Sequence, residues 1–196
     1  MPDRPSLGQA AIVLLAGGRA RRFPGKLEHL IGGEPMVARV CRAVRSTGWP
    51  VYVATNEAFS PEVLALLGAP VLRDRRPGEG PLAALVCAAE AIEAPSLFAV
   101  AADLPRLEGS VLQRLAAAWE PGDEAVVPIH DGRQEPLAAL YARAALQREG
   151  ARLLGEGRRA MHGLLERLSA RFLPISGEYF QNVNSVADLR GETGWG

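Results

Sequence analysis

The sequence predicts an α/β fold, a mostly parallel sheet with helices on its faces, and three observations predict it. The first is the apolar run at residues 11–15, which breaks into Ala16-Gly17-Gly18. An uninterrupted apolar strand is buried on both faces, and a glycine break at its end suits the C-terminal edge of a parallel sheet. The second is an alternation of strand-like and helix-like segments up to residue 101, the pattern of consecutive right-handed crossovers. The third is Asp103, which follows the apolar stretch 97–101 and so falls on the same edge of the sheet, where such folds bind ligands.

Each element has a local reason. Residues 36–46 carry apolar side chains at helical spacing (Met36, Val37, Val40, Val44) behind Pro35 in a first turn. Residues 49–54 read as a strand, 61–67 as a helix stopped by Gly68, and 70–72 as a strand leading to Asp74. After the turn-rich stretch 75–81, residues 82–92 read as an alanine-rich helix and 97–101 as a strand. In the second half, 124–129 is a strand, Asp131-Gly132-Arg133 a hairpin turn, and 136–141 the returning strand. Helices are expected over 142–154 and 158–168, and strands over 171–175 and 179–183. Ser185 is placed as the cap of a last helix through Leu189.

Length and composition bound the function. With 196 residues, 48% hydrophobic content and 22 basic against 22 acidic residues, the chain suits one globular domain that buries roughly 70% of its unfolded surface. It is divided into a nucleotide-binding half, about residues 1–105, and an acceptor-binding half. The balanced charge argues against nucleic acid as a partner, and the longest apolar run is too short for a bilayer. Cys41 and Cys87 sit in apolar helical patterns as reduced core residues, so a cytoplasmic location is expected. His29, His130 and His162 are scattered without a partner at ligand spacing. This argues against a zinc site and against a His-assisted nucleophile, and marks them as surface or satisfied polar residues.

The chemistry concentrates in the first loop. Gly17-Gly18 lets backbone N–H groups approach an anion, and Arg19, Arg21, Arg22 and Lys26 supply charge for a polyphosphate. In an extended loop Arg19 and Arg21 share a side and Arg22 faces away, so the ranking for phosphate contact is Lys26, Arg19, then Arg22. Lys26 is the one lysine of the chain. Two readings of it stand: a compact ammonium kept where a planar guanidinium does not fit, or chance survival on a surface loop. Asp103 reads either as a Mg²⁺ ligand, since that ion takes few protein carboxylates together with substrate phosphates, or as a helix-capping or turn-forming residue. Asn182 and Asn184, two of the three asparagines, fall on one face of a strand at period two. There they either position phosphate, water or a metal-bound oxygen, or satisfy backbone groups.

Taken together, Leu15-Ala16-Gly17-Gly18-Arg19-Ala20-Arg21-Arg22 with Lys26, Gly80-Pro81-Leu82-Ala83, Asp103-Leu104-Pro105, Gln134-Glu135-Pro136-Leu137-Ala138, Arg158-Arg159 and Asn182-Val183-Asn184 resemble the molybdenum cofactor guanylyltransferases. The motifs occur in order over almost the whole chain. The resemblance implies a Rossmann-like three-layer nucleotidyltransferase fold. It also implies transfer of GMP from Mg²⁺-GTP to molybdopterin bearing molybdenum, with release of pyrophosphate. Residues 15–19, Arg22, Lys26, Asp74, Gly80, Pro81, Leu82 and Asp103 would then bind nucleotide. Lys26, Arg19 and Asp103 would carry catalysis, with Asp103 on the metal, and Arg158, Arg159, Asn182 and Asn184 would face the acceptor. Molybdoenzymes or other cofactor-synthesis proteins are implied as partners. The chain departs from the family at Phe23-Pro24-Gly25-Lys26, which lacks the usual Met-Gly and the acid before the lysine. Three alternatives remain: a relative using CTP or another phosphate acceptor, a dinucleotide oxidoreductase, and a non-catalytic adaptor. The loop lacks Gly-x-Gly-x-x-Gly, which discounts the oxidoreductase.

Overall fold

The computed structural model describes residues 10–17, 25–56, 58–73, 76 and 78–183. The apolar run forms β1 (Ala10–Leu15), buried at every residue. Ile12 and Leu14 enter one core cluster, Val13 and Leu15 the other. A strand apolar on both sides needs a layer on each, and the rest of the chain supplies them. A single 3₁₀ turn, Lys26–Glu28, is followed by a hairpin absent from the sequence reading, β2 (Leu30–Ile31) and β3 (Glu34–Pro35). Gly32 and Gly33 both have positive φ there, the two-glycine signal of a tight hairpin.

Then come α1 (Met36–Arg45), β4 (Val51–Thr55), α2 (Pro61–Leu67), β5 (Val71–Arg73), α3 (Pro81–Ala91) and β6 (Ser96–Ala101), close to the expected bounds. The caps explain the sharpness of α2. Ser60 Oγ accepts from the Val63 N–H, Pro61 fills the first turn, and Gly68 ends the helix at φ 51°. The second half contains α4 (Gly109–Ala117), β7 (Ala125–His130), β8 (Arg133–Gln134) and β9 (Ala138–Ala142). It continues through α5 (Arg143–Ala145), a π-turn (Leu146–Gly150), α6 (Ala151–Gly155), α7 (Met161–Leu165) and β10 (Ala170–Pro174). The hairpin at Asp131-Gly132 is formed, with both residues at positive φ.

The sheet runs β10-β7-β9-β6-β1-β4-β5, with β8 on β7. Pairings among β5, β4, β1 and β6 and between β7 and β10 are parallel, and β9 is antiparallel to both neighbours. Residues of α1, α2 and α4 pack on one face, and residues of α3, α6 and α7 on the other. The three-layer, mostly parallel α/β fold is therefore as expected.

In the second half α4 and β8 have no counterpart in the sequence reading, and two expected elements take another form. Helix is found at Met161–Leu165 and not from 158, because α6 ends in a reversal at Gly157, φ 75°. There the Gly157 N–H bonds the Leu154 carbonyl and the Arg158 N–H the Leu153 carbonyl, a Schellman arrangement. Arg158 and Arg159 thus lie in a loop. Residues 179–183 are not a strand: Gly177–Phe180 is a 3₁₀ turn, and 181–183 are irregular. Phe180 and Val183 are both drawn into apolar contacts, which an extended sheet strand would not satisfy. The expected cap Ser185 and its helix lie outside the described residues.

Candidate active site

The parallel strands end on one edge, and the site is built there. The Ala102 N–H bonds the Leu15 carbonyl and the Ala16 N–H the Ala54 carbonyl, so the ends of β6, β1 and β4 are stitched side by side. Thr55, buried, donates its hydroxyl to the Ala16 carbonyl. Gly17 is exposed beside this point, and a Cβ on it would sit 3.9 Å from the Asn56 nitrogen. Gly17 therefore borders Thr55 and Asn56, which sequence reasoning passed over. The available signal was a polar pair closing an apolar strand at the ligand edge, the argument that selected Asp103. Thr55, Asn56, Phe59, Leu64, Val71 and Arg73 line a cavity of about 570 Å³ beside the ends of β4 and β5.

Lys26 and Asp103 meet at the same edge. Lys26 Nζ donates to Asp103 Oδ2 at 2.7 Å, with the side chains 14% and 28% exposed. Both are held from behind. Leu27 is buried in the core and Glu28 Oε1 accepts the Ser60 N–H at 2.7 Å, fixing the turn that opens at Lys26. On the other side Arg39 Nε donates to the Pro105 carbonyl at 3.2 Å, and the Val183 N–H reaches the Asp103 carbonyl at 3.3 Å. The pair can exchange partners: an anion would take the ammonium and a cation the carboxylate. Asp103 is a hard oxygen donor outside any larger set, since among the described residues no three His, Cys, Asp or Glu side chains form a metal cluster. That donor set fits Mg²⁺ held mainly by phosphate oxygens and water and does not fit a protein-caged ion.

Gly80, φ 90°, and Pro81 open α3 with no side-chain cap, leaving N–H groups and the positive helix end facing this edge. Leu82 is wholly buried, so its side chain anchors the helix and only its backbone is placed for a ligand. A Cβ on Gly80 would stand 4.0 Å from the Arg159 carbonyl, and Arg159 Nη2 lies 3.5 Å from Glu79 Oε2. The turn before α3 and the 156–160 loop are thereby brought together. Arg158 turns the other way, 3.2 Å from Glu166. Asn182 is exposed one residue before the Val183 contact. Gly18, Arg19, Arg22, Asp74 and Asn184 lie outside the described residues. Leu15 and Ala16 contribute strand-end backbone, their side chains being buried. Among the described residues no helix is long and apolar enough to cross a membrane.

Comparison with known proteins shows the family and the fold. The model of the MobA-like NTP transferase domain matches residues 12–171. A probable molybdenum cofactor guanylyltransferase of Bacillus licheniformis is 31% identical, over 90% of this chain and 93% of its own. One from Bacillus cytotoxicus is 28% identical, over 88% and 90%. The structure of molybdopterin-guanine dinucleotide biosynthesis protein A from Archaeoglobus fulgidus superimposes with a TM-score of 0.76 at 26% identity, covering 92% of this chain and 95% of that one. With the family model matching most of its length, the chain belongs to the MobA-like NTP transferase family and is a nucleotidyltransferase.

Proposed function

We propose that the chain transfers GMP from GTP to the terminal phosphate of molybdopterin bearing molybdenum, releasing pyrophosphate. The observation that carries this reading is the Lys26–Asp103 pair at 2.7 Å beside the Gly17 strand end, in a chain whose relatives, matched over 90–93% of their length, are named probable molybdenum cofactor guanylyltransferases. The nucleophile is a phosphate oxygen, already ionised at neutral pH. It forms a bond to the α-phosphorus as the bond from that phosphorus to the pyrophosphate oxygen breaks. No general base is needed. The barrier is the approach of two anions, so catalysis rests on positioning and on fixed positive charge that gains as charge moves to the leaving group. Lys26 engages triphosphate oxygens, and the N-terminus of α3 with Gly80 and Pro81 faces the same group. Asp103 would hold Mg²⁺, which when bound screens the phosphate charge. The 570 Å³ cavity beyond Gly17 takes the nucleoside, where a glycine leaves room for a purine. Arg19, Arg22 and Asp74 complete the nucleotide contacts in this proposal. Arg158, Arg159, Asn182 and Asn184, in the second half, serve the acceptor.

The test is incubation with Mg²⁺, molybdopterin and each of the four ribonucleoside triphosphates, following pyrophosphate. Release with GTP, abolished in Lys26→Ala, is the expected result. Release with CTP in place of GTP would keep the mechanism and overturn the base assignment. Silence with all four would overturn the reaction and favour an adaptor or another acceptor.

A further inference from the structure

His130 ends β7 and plays no part in the chemistry above, yet its ring is enclosed on three sides. It stacks on Phe180 with centroids 5.5 Å apart and planes 16° from parallel. Nε2 lies 2.8 Å from Glu135 Oε1, and Asp131 Oδ2 is 3.8 Å from Nδ1. On the same Nδ1 side a Cβ on Gly177 would come within 2.7 Å of Nδ1, so the backbone at 177 meets the ring at a distance only glycine permits. Glu135 is itself held, its N–H bonding the Pro128 carbonyl at 3.0 Å.

What the ring grips is a strap. The chain leaves β10 with the Ile175 N–H on the Ile129 carbonyl and makes the turn Gly177–Phe180. It is next fixed at Val183, which is buried with Ile31 and Met36 and donates its N–H to the Asp103 carbonyl. In the sheet order β7-β9-β6 these anchors lie at the end of β7 and just past the end of β6. Residues 175–183 therefore cross the ligand edge from one half of the chain to the other. Between the anchors Gln181 and Asn182 are both exposed, two neutral amides next to the carboxylate-bearing loop.

We infer that His130 is a positioning residue for the acceptor: gripping Phe180 and Gly177, it sets where Gln181 and Asn182 stand beside Asp103. This rests on the reading that the acceptor phosphate enters from the second half. The sequence-based view of His130 as a satisfied polar residue is correct for its hydrogen bond and incomplete for its consequence.

The test has two arms. Hydrogen exchange of the ligand-free chain reads the strap directly. In His130→Ala, amides at 177–183 should exchange about tenfold faster, from loss of the ring stack and the Glu135 bond, while β1 and β6 keep their protection as the control for folding. His130→Phe keeps the stack and should recover most of the protection. In turnover, His130→Ala should raise the acceptor KM about tenfold, with kcat and the dissociation constant for nucleotide within about twofold. Unchanged exchange at 177–183 would overturn the inference whatever the reaction proves to be. Faster exchange with an unchanged acceptor KM would overturn the acceptor role. A wild-type chain inactive with every nucleotide would instead sink the reading beneath it, leaving exchange to decide whether His130 holds the strap.

Discussion

In the free chain Lys26 and Asp103 occupy one another. If Lys26 serves the triphosphate, Asp103 competes with it whenever no cation neutralises the carboxylate. Asp103→Asn, nearly isosteric, should therefore strengthen binding of metal-free GTP, the opposite of what loss of a site residue ordinarily does. A hydrogen bond between charged groups contributes about 1.5–3 kcal/mol, and partial exposure of both side chains (14% and 28%) screens it. A release of about 1–2 kcal/mol is then reasonable, or roughly 5- to 30-fold in the dissociation constant. Removing the repulsion between carboxylate and triphosphate acts in the same direction. Calorimetric titration of GTP in excess chelator measures it. With Mg²⁺ supplied, the sign should reverse, with turnover falling by about 10²–10³, as for loss of one preorganised charge-stabilising group. An asparagine variant that binds metal-free GTP no better than wild type would refute the competition and leave the ion pair a structural tie.

Other expectations follow from single contacts. A Cβ at Gly17 would meet protein only at ordinary distances of 3.9–4.0 Å, so Gly17→Ala should leave stability within about 0.5 kcal/mol in denaturant titration. Its kcat/KM should fall more with GTP than with CTP, and equal losses would defeat the idea that the glycine makes room for a purine. Tyr141 is wholly buried and donates to the Pro136 carbonyl at 2.8 Å; Tyr141→Phe leaves that carbonyl unpaired and should cost about 1–3 kcal/mol by urea unfolding. Burial pushes the Tyr141 hydroxyl far above the usual phenol range, so in alkaline spectrophotometric titration it should ionise only as the chain unfolds. Hydrogen bonding from Arg42 holds the Glu34 carboxyl below its usual range. A lowered folded value gives stability that is present above the ordinary carboxylate range and lost as pH falls through the folded value. Glu34→Gln should accordingly cost about 0.5 kcal/mol at neutral pH for so exposed a pair, and converge with wild type in acid unfolding curves.

Apart from the hairpin at Gly32-Gly33, the elements of the first half were legible because their signals are local. β1 declares itself by an unbroken apolar run, α2 by Ser60, Pro61 and Gly68, and each crossover carries the next strand end back to the same edge. That logic puts Gly17 and Asp103 on one edge from the sequence alone. It did not reveal that Asp103 faces Lys26, seventy-seven positions away, since direction across a crevice is set by the loops that carry both groups. In the second half the decisive contacts join residues far apart in the chain. The segment 179–183 has the short alternation of a strand, with Tyr179, Gln181 and Val183 in step. Its fate, however, is settled by His130 on Phe180 and by Ile31 and Met36 on Val183, neighbours that no local window contains. Gly157 was a local signal within reach: a glycine after α6 ends that helix and forces Arg158 and Arg159 into a loop. That stop has a structural consequence. A continuous helix over 158–168 would carry both arginines on the exposed flank of α7, whereas the reversal at Gly157 delivers Arg159 to Glu79 and Gly80 at the mouth of α3. The same loop thus ties the half read as acceptor-binding to the turn read as nucleotide-binding, as the strap does at Asp103. Two independent ties meeting at one sheet edge would suit the proposed reaction between two bound phosphates, because a displacement of either partner by an ångström would be felt in rate.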